Sequence, residues 1–283
     1  MEIWNGVPFL SPLWARGPCA VWLHHVHGPM WEMTLPPRLA RAGRFFEERV
    51  APNFYRSTPI VTLSESSKRE LVEEMGLPGH NITVVPPGVD QRFSPGLGRT
   101  RNPHVVAVAR LVPVKDFSRL IRIMVAVRRR VPDAYLSIVG EGYEREMLEE
   151  HIDRVGAHDY IRLLGHLDDD DVTDLYRSAW VVASTSIREG WGMTLTEAAA
   201  CATPCVATRI AGHVDATVEG EAGLLGDTDD ELTDALVAVL TDDELRERLA
   251  KGALERAREL TWERAAVDSF AVLAEDAGRR ARP

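Results

Sequence analysis

Residues 181–206, VVASTSIREGWGMTLTEAAACATPCV, constrain the fold more than any other stretch. An apolar run beginning at Val181 and ending in small polar residues at Ser186 reads as a buried parallel strand entering a loop. A glycine-broken turn with Glu189, Gly190 and Gly192 follows, then a helix from Met193 to about Cys201 and a second apolar segment after Pro204. Such a strand–turn–helix–strand unit belongs in an α/β sheet. Its glycines let backbone approach a ligand closely. The amides of Gly192, Met193, Thr194 and Leu195 are expected as unpaired donors at the helix start, a ready site for phosphate. Glu189 is placed to accept hydrogen bonds from sugar hydroxyls, and Glu197, about one turn into the helix, to take a vicinal diol such as a ribose. One rival is a surface loop with two solvated glutamates. Another is a glycosidase pair, which needs carboxyls roughly 5–9.5 Å apart, whereas eight helical positions span about 12 Å.

The segment EGWGMTLTE, followed by AAACATPCVAT, resembles the Glu-x7-Glu signature of retaining GT-B glycosyltransferases. It is most similar to glycosyltransferase family 4, which includes bacterial mannosyl- and glucosyltransferases. The resemblance implies an α/β fold of two Rossmann-like, doubly wound domains. It implies that Glu189 contacts the donor sugar and Glu197 the nucleotide ribose. It also implies a hexose donor in the form of a GDP- or UDP-linked nucleotide-diphospho-sugar, with no further cofactor and no metal.

Composition narrows the class further. A chain of 283 residues with 45% hydrophobic residues can pack one large or two modest domains. A net charge of −10 argues against general nucleic-acid binding. Only Lys68, Lys115 and Lys251 stand against thirty arginines, so each lysine merits attention. Cys19, Cys201 and Cys205 offer neither a disulfide framework nor a zinc pattern. No signal peptide and no run of 18 apolar residues is visible, so the expected location is cytoplasmic. Arg128 to Arg130 suit a helix C-terminus, and they leave open an acceptor or lipid patch with peripheral contact at the inner face of the membrane. The oligomeric state is not legible.

Along the chain, residues 1–19 read as a loop and a short helix, and Cys19 to Leu23 as a parallel strand delivering His24, His25 and His27 at its carboxyl end. Strand C-ends form the ligand crevice of open α/β sheets. The histidines lack a nearby carboxylate or cysteine, and neighbours on a strand point to opposite faces, so a metal site is disfavoured. By resemblance, a histidine here sits near the donor sugar. His24 fits best, with His25 and His27 as register alternatives. Leu39 to Val50 reads as an amphipathic helix, Pro59 to Leu63 as a strand, and Ser64 as the cap of the next helix. Asn81 to Val85 is a strand, and Pro86 to Asp90 resembles the family's hinge, with Pro87 in place of an asparagine.

Residues 94–103, rich in Pro, Gly and Arg, read as a linker. Strands and helices then alternate regularly, which implies a doubly wound parallel sheet. Arg110 directly follows a strand and Lys115 comes five positions later at a helix start. Charge-assisted hydrogen bonds of about 1.5–3 kcal/mol each would stabilise a leaving diphosphate there, and the family carries Arg and Lys at this spacing for that purpose. Val-Gly-Glu-Gly at 139–142 lacks a third glycine for a dinucleotide fingerprint, Arg145 standing in its place. It resembles the family's Val-Gly-x-Gly, which lines the donor side. Leu163 to His166 resembles the segment holding the nucleotide base. Asp168 to Asp171 read as an acidic helix N-terminus. Ala211-Gly-His-Val-Asp215 matches the family's Gly-Gly-Ile-Pro-Glu only loosely.

The expected organisation is a partial N-terminal, acceptor-side domain at 1–93, the linker at 94–103, a donor-binding domain at 104–260, and a crossover helix with tail at 261–283. The first part supplies only some two strands with their helices, where a Rossmann-like half needs about 100 residues. Its N-terminal strands and Gly-rich loop are expected to be missing, leaving the Cys19 strand as a middle strand beside an open edge, through truncation, a misplaced start or degeneration. The expected activity is hexosyl transfer to an unknown glycan, lipid or small-molecule acceptor. A nucleotide-sugar-binding remnant without transfer activity and a GT-B epimerase acting on a UDP-sugar are the alternatives.

Overall fold

Short apolar strands that are buried on both faces need helices on both sides, and each sheet meets that requirement in its own way. The computed structural model describes residues 1–96 and 98–281. Leu97 of the expected linker and Arg282 and Pro283 of the tail lie outside the described residues. Contacts divide the chain into two units: Met1–Gly88 with Glu189–Trp191 and Leu260–Pro283, and Val89–Arg188 with Gly192–Glu259.

The first unit holds a parallel sheet of β1 (Glu2–Trp4), β2 (Val21–Leu23), β3 (Ile60–Thr62) and β4 (Ile82–Val84), paired in that order. Side-chain alternation assigns its faces. Val21, Leu23 and Ile60 enter a core with Trp4, Tyr55, Leu71 and Leu77, while Ala20, Val61 and Val85 meet Ala265 and Val272 of the last helix, Trp262–Arg280. Each fully buried aliphatic side chain contributes about 1.5–3 kcal/mol. The strand order advances without reversal, as on one flank of a doubly wound sheet.

The strand Glu2–Trp4 corrects the expectation of a loop and short helix at the N-terminus. Three residues show no periodicity, and pairing decides their state: Glu2 to Trp4 match Val21 to Leu23 in register. The buried Glu2 carboxylate then folds the following loop back, accepting from the amides of Phe9 (2.7 Å) and Ser11 (3.1 Å) and from the Tyr55 hydroxyl (2.8 Å). The strand at Val21–Leu23 is therefore internal, and β1 is the edge. The expected helix at 39–50 is an α-helix, Pro37–Phe45, that continues as a π-turn over Phe46–Val50.

The second unit holds β5 (His104–Val108), β6 (Tyr135–Val139), β7 (Ile161–Gly165), β8 (Val181–Ser184), β9 (Cys205–Thr208) and β10 (Gly223–Gly226), all parallel, in the order β10-β9-β8-β5-β6-β7. Numbered within the sheet this is 6-5-4-1-2-3, the doubly wound arrangement, and its order reverses between β5 and β8. Val105, Ala107, Val181 and Ala183 face one layer with the helices Phe117–Arg130 and Asp229–Thr241, and Val106, Val182 and Ala207 face the other with Tyr176, Leu195 and Ala198.

Helix starts follow local chemistry. Asp168 accepts from the Asp171 amide (3.0 Å) ahead of the helix Asp169–Ser178. Arg99 of the expected linker is held on this unit, donating to the carbonyls of Ala179 (2.6 Å) and Ala202 (2.9 Å). Arg128 donates to the Ala134 carbonyl (2.8 Å) and Arg130 pairs with Asp234. Among the described residues, no helix is long and apolar enough to cross a membrane.

His104 is 3% exposed, stacks on Tyr135 at 4.1 Å, and its Nε2 lies 2.9 Å from Ser137 Oγ. Burial pushes its pKa down to about 4 from an ordinary 6.5. The unfolded chain therefore takes up this proton near pH 6.5 and the folded chain only near pH 4. Stability should fall as the pH drops through that window, by about 3 kcal/mol in total from this group. Urea unfolding of the wild type and of His104→Gln at pH 7 and pH 4.5 checks this: the variant should lose less stability between the two pH values.

Candidate active site

The reversal between β5 and β8 places two carboxyl-end loops side by side, the position where open α/β sheets bind ligands. Side chain and backbone tie the loops together. Thr185 Oγ1 donates to the carbonyl of Asp116 (2.9 Å), and the Ile187 amide donates to that of Val114 (2.8 Å). Arg110 follows β5 and is exposed. Lys115 is half-buried and ends a 3-10 turn, Pro113–Lys115. The α-helix begins two residues later at Phe117, with Asp116 as its cap.

The glycines of Val-Gly-Glu-Gly have a packing role here. A Cβ at Gly140 would strike the Ala109 carbonyl, and one at Gly142 the Leu111 carbonyl. Bare backbone lets the loop after β6 lie against the loop carrying Arg110, through bonds from the Ala109 amide to the Val139 carbonyl (3.0 Å) and from the Leu111 amide to that of Glu141 (2.9 Å).

The helix Met193–Ala200 starts at Gly192, which holds φ +113° and has no side-chain cap. Its first turn contains no acidic residue. Of the four amides expected to be unpaired, Leu195's is engaged: it donates to the Gly192 carbonyl at 3.0 Å. The first turn tightens to an i→i+3 bond, which leaves Gly192, Met193 and Thr194 as the donors. Leu195 is instead a core residue, 2% exposed. Behind Gly192 sits the fully buried His213. Its Nδ1 lies 3.0 Å from the Thr208 carbonyl and its Nε2 3.4 Å from Ser184 Oγ. Glu197, half-buried one turn on, accepts from the buried Tyr176 hydroxyl at 3.3 Å. Burial raises its pKa, with the Tyr176 bond opposing.

In the first unit, β2 delivers a half-buried His24, whose pKa burial lowers. His27 is taken up by Glu47, 3.2 Å from its Nδ1, which commits that ring to the scaffold. Glu189 is half-buried, and its neighbour Gly190 lies against the His24 carbonyl so closely that a Cβ would overlap it. Ser67 Oγ donates to the Gly190 carbonyl at 3.3 Å, and Ser64 caps the same helix start, accepting from the Ser67 amide at 3.0 Å. The structure thus brings His24 together with the segment bearing Glu189, and in the second unit it gathers Arg110, Lys115, Gly192 to Thr194 and Glu197 on adjoining elements. Among the described residues, no group of three or more His, Cys, Asp and Glu is arranged to hold a metal.

Sequence reasoning missed Tyr176, His213 and Glu47. Only His213 gave a signal, as a departure within 211–215.

Two parallel Rossmann-like sheets with this loop chemistry define the GT-B glycosyltransferase class of fold. Solved structures agree: a sucrose-phosphate synthase from Thermosynechococcus elongatus matches with TM-score 0.77 and 20% identity, covering 90% of this chain and 67% of that one. HepE of Anabaena, solved with UDP-glucose, matches with TM-score 0.76 and 20% identity, covering 94% and 74%. Glycosyltransferase Family 4 matches residues 4–93, and Glycosyl transferases group 1 matches residues 90–256. The chain belongs to the glycosyl transferases group 1 family. Among its relatives is the D-inositol 3-phosphate glycosyltransferase of Kribbella flavida, 33% identical over 233 residues, 75% of this chain and 55% of that protein. The enzyme of the same name from Corynebacterium glutamicum is 30% identical over 244 residues, 79% and 58%. The chain thus spans little more than half the length of these relatives.

Gly140→Ala should displace the Arg110 loop. Overpacking of this kind, added to a positive φ, costs about 1–3 kcal/mol. Denaturant unfolding should show that loss, and wild-type stability in Gly140→Ala would mean the two loops are not held backbone to backbone.

Proposed function

We propose that this chain acts as a retaining glycosyltransferase, moving a hexose from a GDP- or UDP-linked nucleotide-diphospho-sugar to a glycan, lipid or small-molecule acceptor. The observation that carries this reading is the uncapped start of the helix Met193–Ala200, free of acidic residues and set on the strand-order reversal that also bears Arg110 and Lys115. Backbone amides, a guanidinium and an ammonium are the donor set for a diphosphate. Glu197 then takes the ribose, Glu189 orients the sugar, and His24 sits beside the reacting carbon.

The chemistry needs no covalent nucleophile. The bond between the sugar's anomeric carbon and the diphosphate oxygen breaks, and its electron pair stays on that oxygen, where Arg110 and Lys115 stabilise the charge. The acceptor hydroxyl attacks from the same face, and its proton passes to the departing diphosphate. A kept configuration follows from that geometry.

Thermal unfolding with GDP, UDP and ADP in turn tests the donor site. A ligand at 100 times its Kd should add about 2.7 kcal/mol, and GDP or UDP is expected to do so. No shift with any nucleotide, in a folded protein, would refute the reading. Arg110→Ala and Lys115→Ala should each weaken nucleotide binding by about 1.5–3 kcal/mol, roughly 10- to 150-fold. Glu189→Ala should lower turnover far more than nucleotide affinity; equal loss of both would remove its assigned role. D-inositol 3-phosphate, carried in the relatives' name, is the first acceptor to try. Nucleotide binding without turnover on any acceptor would favour the alternative of a nucleotide-sugar-binding chain.

A further inference from the structure

Glu47 is fully buried, and the five-residue π-turn that carries it is the one irregularity in its helix. A π-turn adds a residue to the turn, so the helix face rotates by roughly 100° relative to a continued α-helix. The Ala51 amide closes this turn on the Phe46 carbonyl at 2.8 Å. The carboxylate that results faces inward and meets four donors. Oε1 accepts from the His27 amide (3.0 Å) and lies 3.2 Å from His27 Nδ1. Oε2 accepts from the Trp31 indole (2.8 Å) and the Gly28 amide (3.3 Å). All four belong to the segment that follows β2. Burial works to raise the Glu47 pKa, but the His27 and Trp31 donors outweigh it and hold the carboxyl below its ordinary value, so it is ionised at neutral pH.

What this carboxylate fixes extends past His27. The Trp31 ring is wedged where a Cβ on Gly43 would come within 2.7 Å and one on Gly6 within 3.1 Å, so the indole has one seat. The turn from His24 to Gly28 is then held at its carboxyl side by Glu47 and at its amino side by β2. Its outer surface is the seat for Gly190, which touches the His24 carbonyl and lies 3.6 Å from His25 Nδ1, counted from a Cβ position.

We infer that Glu47 is a positioning residue for sugar transfer: it locks the turn His24–Gly28, and through the seat that turn makes for Gly190 it sets both His24 and Glu189. This rests on the reading that those two residues serve the donor sugar. Glu47 itself touches neither substrate nor reacting atoms. A misplacement of about 1 Å in such groups lowers rates by roughly 100-fold.

Glu47→Gln keeps the size and offers one oxygen, and its amide group turns an N–H donor toward other donors. The full chain should stay folded and bind its nucleotide within about twofold of wild type, because the diphosphate and ribose groups belong to the other unit. Turnover of the donor sugar should fall by roughly 100-fold, in kcat and not in donor KM. In 1H–15N NMR spectra the Trp31 indole and the His27 and Gly28 amides should shift and lose hydrogen-exchange protection. Trp31→Phe removes a single donor and should give a smaller fall in kcat, which keeps the inference testable if Glu47→Gln does not fold. Glu48→Gln, next in sequence but paired with Arg44 at 2.8 Å, should match wild type in every measurement.

Wild-type kcat in Glu47→Gln would overturn the inference, and so would equal losses of turnover and nucleotide affinity. If the wild type itself neither binds nucleotide nor turns over donor, the transferase reading fails on its own. The exchange measurement then still decides: retained protection of His27 and Gly28 in Glu47→Gln overturns the locked turn, and lost protection supports it.

Discussion

Close approach of backbone to backbone is the constraint on which the candidate site depends. The loop after β6 reaches the loop after β5 only because Gly140 and Gly142 present no side chain to the carbonyls of Ala109 and Leu111. Gly190 lies against the His24 carbonyl on the same terms. At Gly140 and Gly142 the approach exchanges side-chain volume for main-chain hydrogen bonds, from Ala109 to Val139 and from Leu111 to Glu141, and at Gly190 for a bond from the Ser67 hydroxyl to the glycine carbonyl. A methyl group at any of the three would push a loop away from its partner and move the charged side chains it carries. The cost would appear first in ligand geometry and then in stability.

The first unit relies on a different device. Its strands are three residues long and supply little pairing energy, and three buried carboxylates tie the connecting segments to them. Glu2 gathers the amides of Phe9 and Ser11. Glu47 gathers the turn after β2. Asp276, 4% exposed, accepts from the Cys19 amide at 2.9 Å and from Arg280 at 2.7 Å, which ties the last helix to the segment entering β2. A buried carboxylate is costly unless its oxygens are satisfied, and each of these is met by amide, hydroxyl, indole or guanidinium donors. That requirement favours the observed path of the three segments, because moving any of them would strip donors from a buried carboxylate.

Much of this was legible beforehand. The mostly apolar runs of β5, β6 and β8, the spacing of helices between them, the cap at Ser64 and the acidic start at Asp168 to Asp171 each rest on neighbours close in sequence. Glu189, Glu197, Arg110 and Lys115 stood out by type and position. The strand at Glu2–Trp4 did not, because its partner is residues away and its own three positions carry no period. Leu195's amide was misjudged because tightening of the first helical turn depends on backbone angles that composition does not reveal. Glu47 sat in a mixed-charge helix with an ordinary α-period. Only the π-turn turned it inward.

The amino-acid sequence by itself determined the alternation of strand and helix, the doubly wound character of the second sheet, and which residue types stand at the carboxyl ends of its strands. These follow from local periodicity and turn chemistry, where each residue's preference is decided within a few positions. Tertiary structure alone decided which glycines face which carbonyls, that His27 is bound to Glu47 while His24 stands at the end of β2, and that Gly190, next to Glu189, rests on the histidine turn. Those outcomes depend on groups brought together from 20 to more than 160 positions apart. Only the closing of the sheets, with every buried charge and amide satisfied at once, selects them.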